Sequence, residues 1–314
     1  MAKNDALDKK EDHRIEDDPE KTGSGSPVSG LHLEKGQVLE GRPVFKTVHL
    51  VFDTTMGHST EGATPLVAPE KLILVEIEIN HDCNRVCSYC PNMTHQRKNQ
   101  GRMTRPLFEK ILTELAAIEY AGRISFHFYN EPLLSPDLSL FARLTKERLP
   151  RCRIDLYTNG ELLDLGRFRE LVSAGVDHFT VTRHVPPGKD YPFEKVLGSL
   201  DEPERGRVRL QTIRDIELTN RGGLLEKIRS PHGDPPLELP CFIPTSTIII
   251  TVNGNVLPCY EDFSEQNVMG NLNESTLLEV WNSGKYRNFR DSLKKPGSRK
   301  GFAVCDKCNN RSLL

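Results

Sequence analysis

The sequence predicts an α/β protein, a full or partial β/α barrel followed by a small cysteine-bearing module. Three observations carry this. From residue 71 onward, β-runs alternate with stretches of helical periodicity. The first β-run, "LILVEIEIN" (72–80), stops just before Cys83, Cys87 and Cys90, and functional loops sit in this way at the carboxyl ends of barrel strands. Beyond Pro240 the texture changes to "STIIITVNGNVLPC", where Asn253-Gly254 between apolar runs signals a two-residue hairpin, so a second module starts near residue 236.

Each element has its own local reason. Thr104 is a candidate N-cap and Pro106 suits a first turn. Leu107, Ile111, Leu112, Leu115 and Ile118 then repeat at helical spacing until Gly122. "RISFHFY" (123–129) leads to the helical "LSLFARLTKERL", and "RIDLYTN" (153–159) leads to "LGRFRELVSAG". "DHFTVTRH" (177–184) and "RVRLQTI" (207–213) add further strands. "TLLEVWNSGKYRNFRDSLKK" reads as a helix with a break at Gly284. Residues 1–30 are dominated by charged residues and "TGSGSPVSG", which cannot bury enough apolar surface to offset chain entropy, and are expected to be disordered. "VFKTVHLVF" (44–52) has strand-forming residues and is expected as an edge strand or a wrap around the main domain.

Composition narrows the function. Forty-two Lys and Arg against 44 Asp and Glu leave a net charge of -2, which gives no electrostatic reason to expect nucleic acid or an anionic membrane as partner. No apolar run is long enough to span a membrane and the N-terminus has no signal-peptide core, so the expected location is cytoplasmic. In that reducing compartment eight cysteines are read as metal ligands or reactive thiols rather than disulfides. Seven fall into patterned spacings, and Cys152 is the exception. A nicotinamide-dependent oxidoreductase would need a dinucleotide site, and no G-x-G-x-x-G occurs in the chain.

The compact C-x3-C-x2-C trio has no fourth thiol nearby. Three thiolates hold three irons of a cubane cluster and leave the fourth iron open, whereas a structural zinc site takes four ligands. A later set, Cys241, Cys259 and the Cys305-x2-Cys308 pair, has four thiols, enough for a complete second cluster, with a zinc knuckle as the alternative. The strand context and spacing of the first trio resemble the radical S-adenosylmethionine superfamily. "YNEPLL" resembles that superfamily's Gly-Glu-Pro segment, with Asn130 in place of the glycine and Glu131 and Pro132 in register. The spacing Cys241-x12-Gly254-x4-Cys259 followed by C-x2-C resembles the truncated SPASM, or twitch, module that holds an auxiliary 4Fe-4S cluster.

"VEIEINHDCNRVCSYCPN", "AGRISFHFYNEPLL", "YTNGELL", "LTNRGGLL" and "TVNGNVLPCYEDF" narrow the resemblance to the radical dehydrogenases that oxidise 2-deoxy-scyllo-inosamine. That resemblance implies a partial (β/α)6 barrel over 71–235, a twitch domain over 236–314 and an N-terminal extension, 1–70, without counterpart. It implies two 4Fe-4S clusters, S-adenosylmethionine consumed as cosubstrate, an aminocyclitol substrate and a flavodoxin or ferredoxin reductant. Carried over by position, Cys83, Cys87 and Cys90 ligate the first cluster and Cys241, Cys259, Cys305 and Cys308 the second. Tyr89, Asn130, Glu131 and Pro132 contact the cofactor, and Asn159 and Thr182, at the next two strand ends, are expected to touch it as well. Tyr129, Tyr157 and Glu261 line the substrate pocket. Arg221 takes or stabilises the hydroxyl proton, and as a guanidinium it suits hydrogen bonding better than base catalysis.

The implied chemistry is abstraction of the carbinol hydrogen by a 5'-deoxyadenosyl radical, loss of the hydroxyl proton and transfer of the remaining electron to the auxiliary cluster. Three alternatives share the motifs. A peptide-modifying SPASM enzyme often has thiols for a second auxiliary cluster, which this chain lacks. An epimerase needs a hydrogen-atom donor, for which Cys152 is the one spare thiol. A non-catalytic electron carrier has no need of an open iron. His127 and His184 read as structural histidines.

Overall fold

The computed structural model describes residues 72–97, 100–186, 188–225, 227–228 and 238–311, which fall within one compact unit. The expected disorder over 1–30, the expected strand over 44–52 and the boundary near 236 lie outside these residues. Five strands alternate with helices: β1 (Leu74–Ile77), α1 (Arg105–Ala117), β2 (Arg123–Ser125), α2 (Leu138–Arg148), β3 (Arg153–Thr158), α3 (Leu165–Ser173), β4 (His178–Arg183), α4 (Pro192–Ser199), α5 (Glu202–Arg205) and β5 (Val208–Thr212). Three further strands, β6 (Thr247–Ile250), β7 (Asn255–Leu257) and β8 (Gly270–Asn271), precede α6 (Leu277–Asn282) and α7 (Gly284–Leu293). No helix among the described residues is long and apolar enough to cross a membrane.

All eight strands form one sheet in the order β5-β4-β3-β2-β1-β6-β7-β8. The first six in that order are parallel, and the β6–β7 and β7–β8 pairs are antiparallel. The sixth parallel strand is therefore supplied from beyond Pro240 and joins β1, at the opposite edge from β5, with Glu76 opposite Ile249 and Ile77 opposite Ile250. β5 is left as a partly exposed edge and the sheet stays open.

Strand periodicity sorts the two faces. On β1, Val75 and Ile77 are fully buried in the apolar core, whereas Leu74 and Glu76 line a cavity on the other face. The core is aromatic at its centre, with Phe108 of α1 stacked on Phe141 of α2 at 4.0 Å and tilted against Phe126 at 6.0 Å. The Thr104 side chain accepts the Leu107 N–H as the expected cap, but α1 stops at Ala117, short of Gly122, where Glu119 adopts a left-handed φ of 52°. The hairpin also differs from the two-residue form. Gly254 N–H returns to Thr251 O (2.8 Å) and Thr251 N–H bonds Asn255 O (3.0 Å). Gly254, but not Asn253, has a positive φ (+82°), so the turn is longer and carries its glycine at the bulge position. The break near Gly284 is realised at Ser283, which ends α6 and caps α7 by accepting the Tyr286 N–H.

One buried ion-pair network ties the thiol-bearing loop to the sheet. Arg97 pairs with Glu78 and reaches Glu265 at 3.4 Å, with its guanidinium over Phe128 at 4.9 Å. Glu78 also accepts the Val252 N–H (3.2 Å), and Asn255 donates to Glu265 (2.8 Å). Glu78 is fully buried, so Arg97→Met should strand its carboxylate and lower unfolding free energy by roughly 3–5 kcal/mol in urea denaturation. Adding Glu78→Gln to that variant should recover part of the loss. Equal midpoints for wild type and Arg97→Met would show that the network contributes nothing.

Candidate active site

The cavity at the sheet's carboxyl ends has a volume of about 460 Å³, and Cys83, Cys87 and Cys90 all reach it. They belong to the loop after β1, which is fastened to the next strand end. Buried Asn80 donates to Asp82 O (3.1 Å) and Glu131 O (3.2 Å), and Glu131 N–H bonds Asp82 O (2.8 Å). Asn130, which stands where the superfamily segment has glycine, is structural in its side chain. It donates to Asn80 (3.0 Å) and Phe126 O (3.2 Å) and accepts the Phe128 N–H (2.8 Å). Pro132 opens the short 3-10 turn that follows.

Glu131 is 2% exposed, and its carboxylate accepts from Leu133 N–H (3.1 Å), the Thr158 hydroxyl (2.7 Å) and Asn159 N–H (2.8 Å). Burial raises its pKa, against these three donors. A carboxylate has about four acceptor positions, so one remains for a cationic ligand group. Asn159 donates from its side chain to Asn84 (2.8 Å), and Thr182 accepts from Gln211 (3.1 Å); both line the cavity. Tyr89 stacks on His184 at 5.9 Å and is hydrogen-bonded to its Nδ1. Burial lowers the His184 pKa to about 4, so the ring is neutral at pH 7. Arg85, which also lines the cavity, anchors the loop by pairing with Glu161.

Tyr129, Tyr157 and Arg221 line the same cavity. Tyr129 donates to Tyr260 O (2.8 Å), and the Arg221 guanidinium lies 5.7 Å from its ring centroid. Arg221, Gly222 and Gly223 run through three left-handed residues, with φ values of 48°, 61° and 92°. A Cβ at position 222 would stand 2.3 Å from Val304 in the second thiol segment, so glycine is required for that approach. Glu261 does not line this cavity. It is 1% exposed behind Arg221 at 3.6 Å, and it accepts from Thr219 (2.9 Å) and Asn310 (2.7 Å).

Cys241, Cys259, Cys305 and Cys308 converge on a second, mostly apolar pocket, which Glu261 also borders. Glu261 N–H bonds Cys259 Sγ and Asn310 N–H bonds Cys308 Sγ, each at 3.4 Å. β1 runs toward Cys83, whereas β7, directed against β6 and hence against β1, runs back toward Cys259. The two thiol sets therefore lie toward opposite ends of the sheet with the cavity between them. Burial pushes Cys83 up to about 11 and Cys305 up to about 12, and it raises Cys90, Cys241, Cys259 and Cys308 as well. Thiols held neutral this firmly ionise against a strongly positive partner, and N–H donors aimed at sulfur suit a cluster-bound thiolate. Both donor sets thus fit iron-sulfur clusters, open at the first and closed at the second. Cys152, 2% exposed, sits in the apolar core instead and does not line the cavity.

Residues 77–197 match the radical SAM superfamily model and residues 241–309 match the SPASM iron-sulfur cluster-binding domain model. The chain is 40% identical, over 76% of its length and 94% of the relative's, to the S-adenosyl-L-methionine-dependent 2-deoxy-scyllo-inosamine dehydrogenase of Niallia circulans. The chain belongs to that radical SAM dehydrogenase family. It accordingly uses 4Fe-4S clusters and S-adenosylmethionine. Among solved structures, the crystal structure of BtrN in complex with AdoMet and 2-DOIA matches with a TM-score of 0.71 at 40% identity, covering 76% of this chain and 94% of that one. BtrN in an open conformation matches at 0.61 and 34% identity, covering 78% and 95%. An anSMEcpe structure with bound AdoMet, at 15% identity and a TM-score of 0.51 over 76% of this chain and 88% of that one, shares the fold.

Several cavity residues have no signature in the sequence. Glu76, Arg123 and Gln211 line it because of strand register and pairing, and Tyr260 because the loop after β7 reaches it, not because of a local motif. Glu76 titrates unusually, since burial, partly offset by Arg123 and Arg221, raises its pKa from 4.5 to about 8. The unfolded chain then loses this proton first, so the folded state is progressively disfavoured as pH climbs from about 4.5 to about 8, by as much as roughly 4 kcal/mol. In urea denaturation at pH 5 and pH 8, Glu76→Gln should lose less stability than wild type on going to the higher pH. Parallel losses in the two proteins would contradict the assignment.

Proposed function

We propose that this protein oxidises one secondary alcohol of an aminocyclitol to the ketone. Bound at the two thiol sets, the clusters and S-adenosylmethionine supply a 5'-deoxyadenosyl radical on one side of the substrate and an electron acceptor on the other. In this reading Cys83, Cys87 and Cys90 hold the first cluster and Cys241, Cys259, Cys305 and Cys308 the second. Glu131 receives the cofactor's ammonium at its spare acceptor position, with Asn130 and Pro132 shaping that turn and Tyr89, Asn159 and Thr182 bordering the cofactor. Tyr129 and Tyr157 bound the substrate. Arg221 donates to the reacting hydroxyl oxygen and favours release of its proton, while Glu261 holds the guanidinium in place.

The observation that carries the reading is a continuous path of contacts. Arg221 lines the cavity that the first three thiols border, and it lies 3.6 Å from Glu261, whose N–H bonds a thiol of the second set. The reductant in this reading is a cytoplasmic flavodoxin or ferredoxin, and the exposed apolar Val86 and Met93 beside the first thiols support a docking partner there. The reading is tested by anaerobic incubation of the reconstituted protein with S-adenosylmethionine, a reductant and a panel of aminocyclitols. Mass analysis should show one compound lighter by two hydrogens and 5'-deoxyadenosine formed in equal amount. Cofactor cleavage with no such product from any aminocyclitol would overturn it.

A further inference from the structure

The cavity floor carries a carboxylate that none of the roles above uses. Glu76 lies midway along β1, on the face turned to the cavity, and is 5% exposed. Among the described residues, the one basic side chain within ion-pairing reach is His127, whose Nε2 is 4.0 Å away, beyond hydrogen-bond distance. His127 is itself engaged, with Nδ1 3.1 Å from the Ser125 hydroxyl and its ring stacked on Tyr157 at 4.4 Å. Burial lowers its pKa to about 4, so it brings no positive charge at pH 7. The nearby arginines have acids of their own. Arg123 lies 3.7 Å from Asp155, which Arg153 also binds at 2.5 Å, and Arg221 faces Glu261. Glu76 thus has no close cation and, unlike Glu131, which three donors hold, no hydrogen bond to its carboxyl among the described residues.

With no partner, the buried Glu76 carboxyl keeps its proton to about pH 8 in the free protein. A ligand that brings a positive charge into the cavity lowers that pKa, so the proton leaves to solvent as the ligand binds and the resulting carboxylate gains a charge-assisted hydrogen bond. Resting on the reading that the substrate is an aminocyclitol, we propose that Glu76 forms an ammonium-recognition subsite, pairing with a protonated primary amine on the substrate ring and so selecting amine-bearing polyols over their all-hydroxyl counterparts. With the amine held at β1 and a hydroxyl held at Arg221, the ring is fixed at two points, and this determines which carbinol is presented for oxidation.

The test is anaerobic titration calorimetry of the holoenzyme with S-adenosylmethionine present. It uses an aminocyclitol that the wild type binds and the same ring with hydroxyl in place of the amine. Wild type should prefer the amine by roughly tenfold to a hundredfold. Glu76→Gln, neutral and of the same shape, should bring the two affinities to within about threefold of each other by weakening the amine alone, whereas Glu76→Asp, which keeps the charge, should retain most of the preference. If Glu76 kept its proton with the amine bound and acted only as a hydrogen-bond donor, glutamine would replace it and the preference would persist. That persistence, or a wild type that binds both compounds equally, overturns the proposal. Preference lost in Glu76→Gln with no ketone from wild type would sink the dehydrogenase reading but not the subsite. Ketone formation with the preference unchanged would do the reverse.

Discussion

Arg221→Ala is expected to slow ketone formation by about two to three orders of magnitude at saturating substrate, the range seen when one preorganised donor is removed from a charge-developing oxygen. The guanidinium is held by Glu261 at 3.6 Å and by the Tyr129 ring, on a backbone of three successive left-handed residues, so it is fixed before substrate arrives. Arg221→Lys keeps the charge but not the planar fork, and should fall between wild type and alanine. The readout that separates this from a folding defect is the ratio of ketone to 5'-deoxyadenosine. It should drop in both variants while S-adenosylmethionine affinity stays near wild type, because the contacts of Arg221 run to Glu261 and Tyr129 and not to Glu131, Asn159 or Tyr89. A rate for Arg221→Ala within threefold of wild type would remove Arg221 from the reaction.

The thiol sets should fail in distinguishable ways. Alanine at Cys83, Cys87 or Cys90 leaves too few ligands for the open cluster, so cleavage of S-adenosylmethionine should vanish and iron content fall from about eight to about four per chain. Cys259→Ala should lose a similar amount of iron yet retain cofactor cleavage, with ketone formation reduced below detection. The separation is expected because the two pockets share no thiol and lie toward opposite ends of the sheet. Iron analysis together with product quantification decides the matter. Loss of both activities in Cys259→Ala, with both clusters gone, would mean that the sites assemble as one unit.

What could be read from residues alone was whatever depended on spacing. The alternation from Leu72 onward, the Thr104 cap, the two thiol sets and the Glu131-Pro132 turn are local patterns, and each is present in the fold. α4 and α5 are too short, at 8 and 4 residues, for helical periodicity to register. Asn130 looked like a weakened glycine because its use, bonding Asn80 across 50 positions, is invisible in one segment. Glu261 was placed in the substrate pocket by the resemblance alone, and its bonds to Thr219 and Asn310 hold it behind Arg221 instead. Glu76 was hidden for a related reason. An acidic residue in an apolar β-run ordinarily faces solvent, and the run itself does not tell that the face of β1 carrying Glu76 is turned into the cavity.

The placement of β6 beside β1 has a consequence for anyone seeking to exchange the cluster-bearing tail between related enzymes. A graft that ended before Thr247 would leave the backbone of Leu74–Ile77 unpaired along one side, an apolar edge of the type that recruits other chains into aggregates. The recipient must therefore bring its own matching strand in register, and a chimaera is better cut within the loops that flank the sheet than at the point where the cysteine spacing changes.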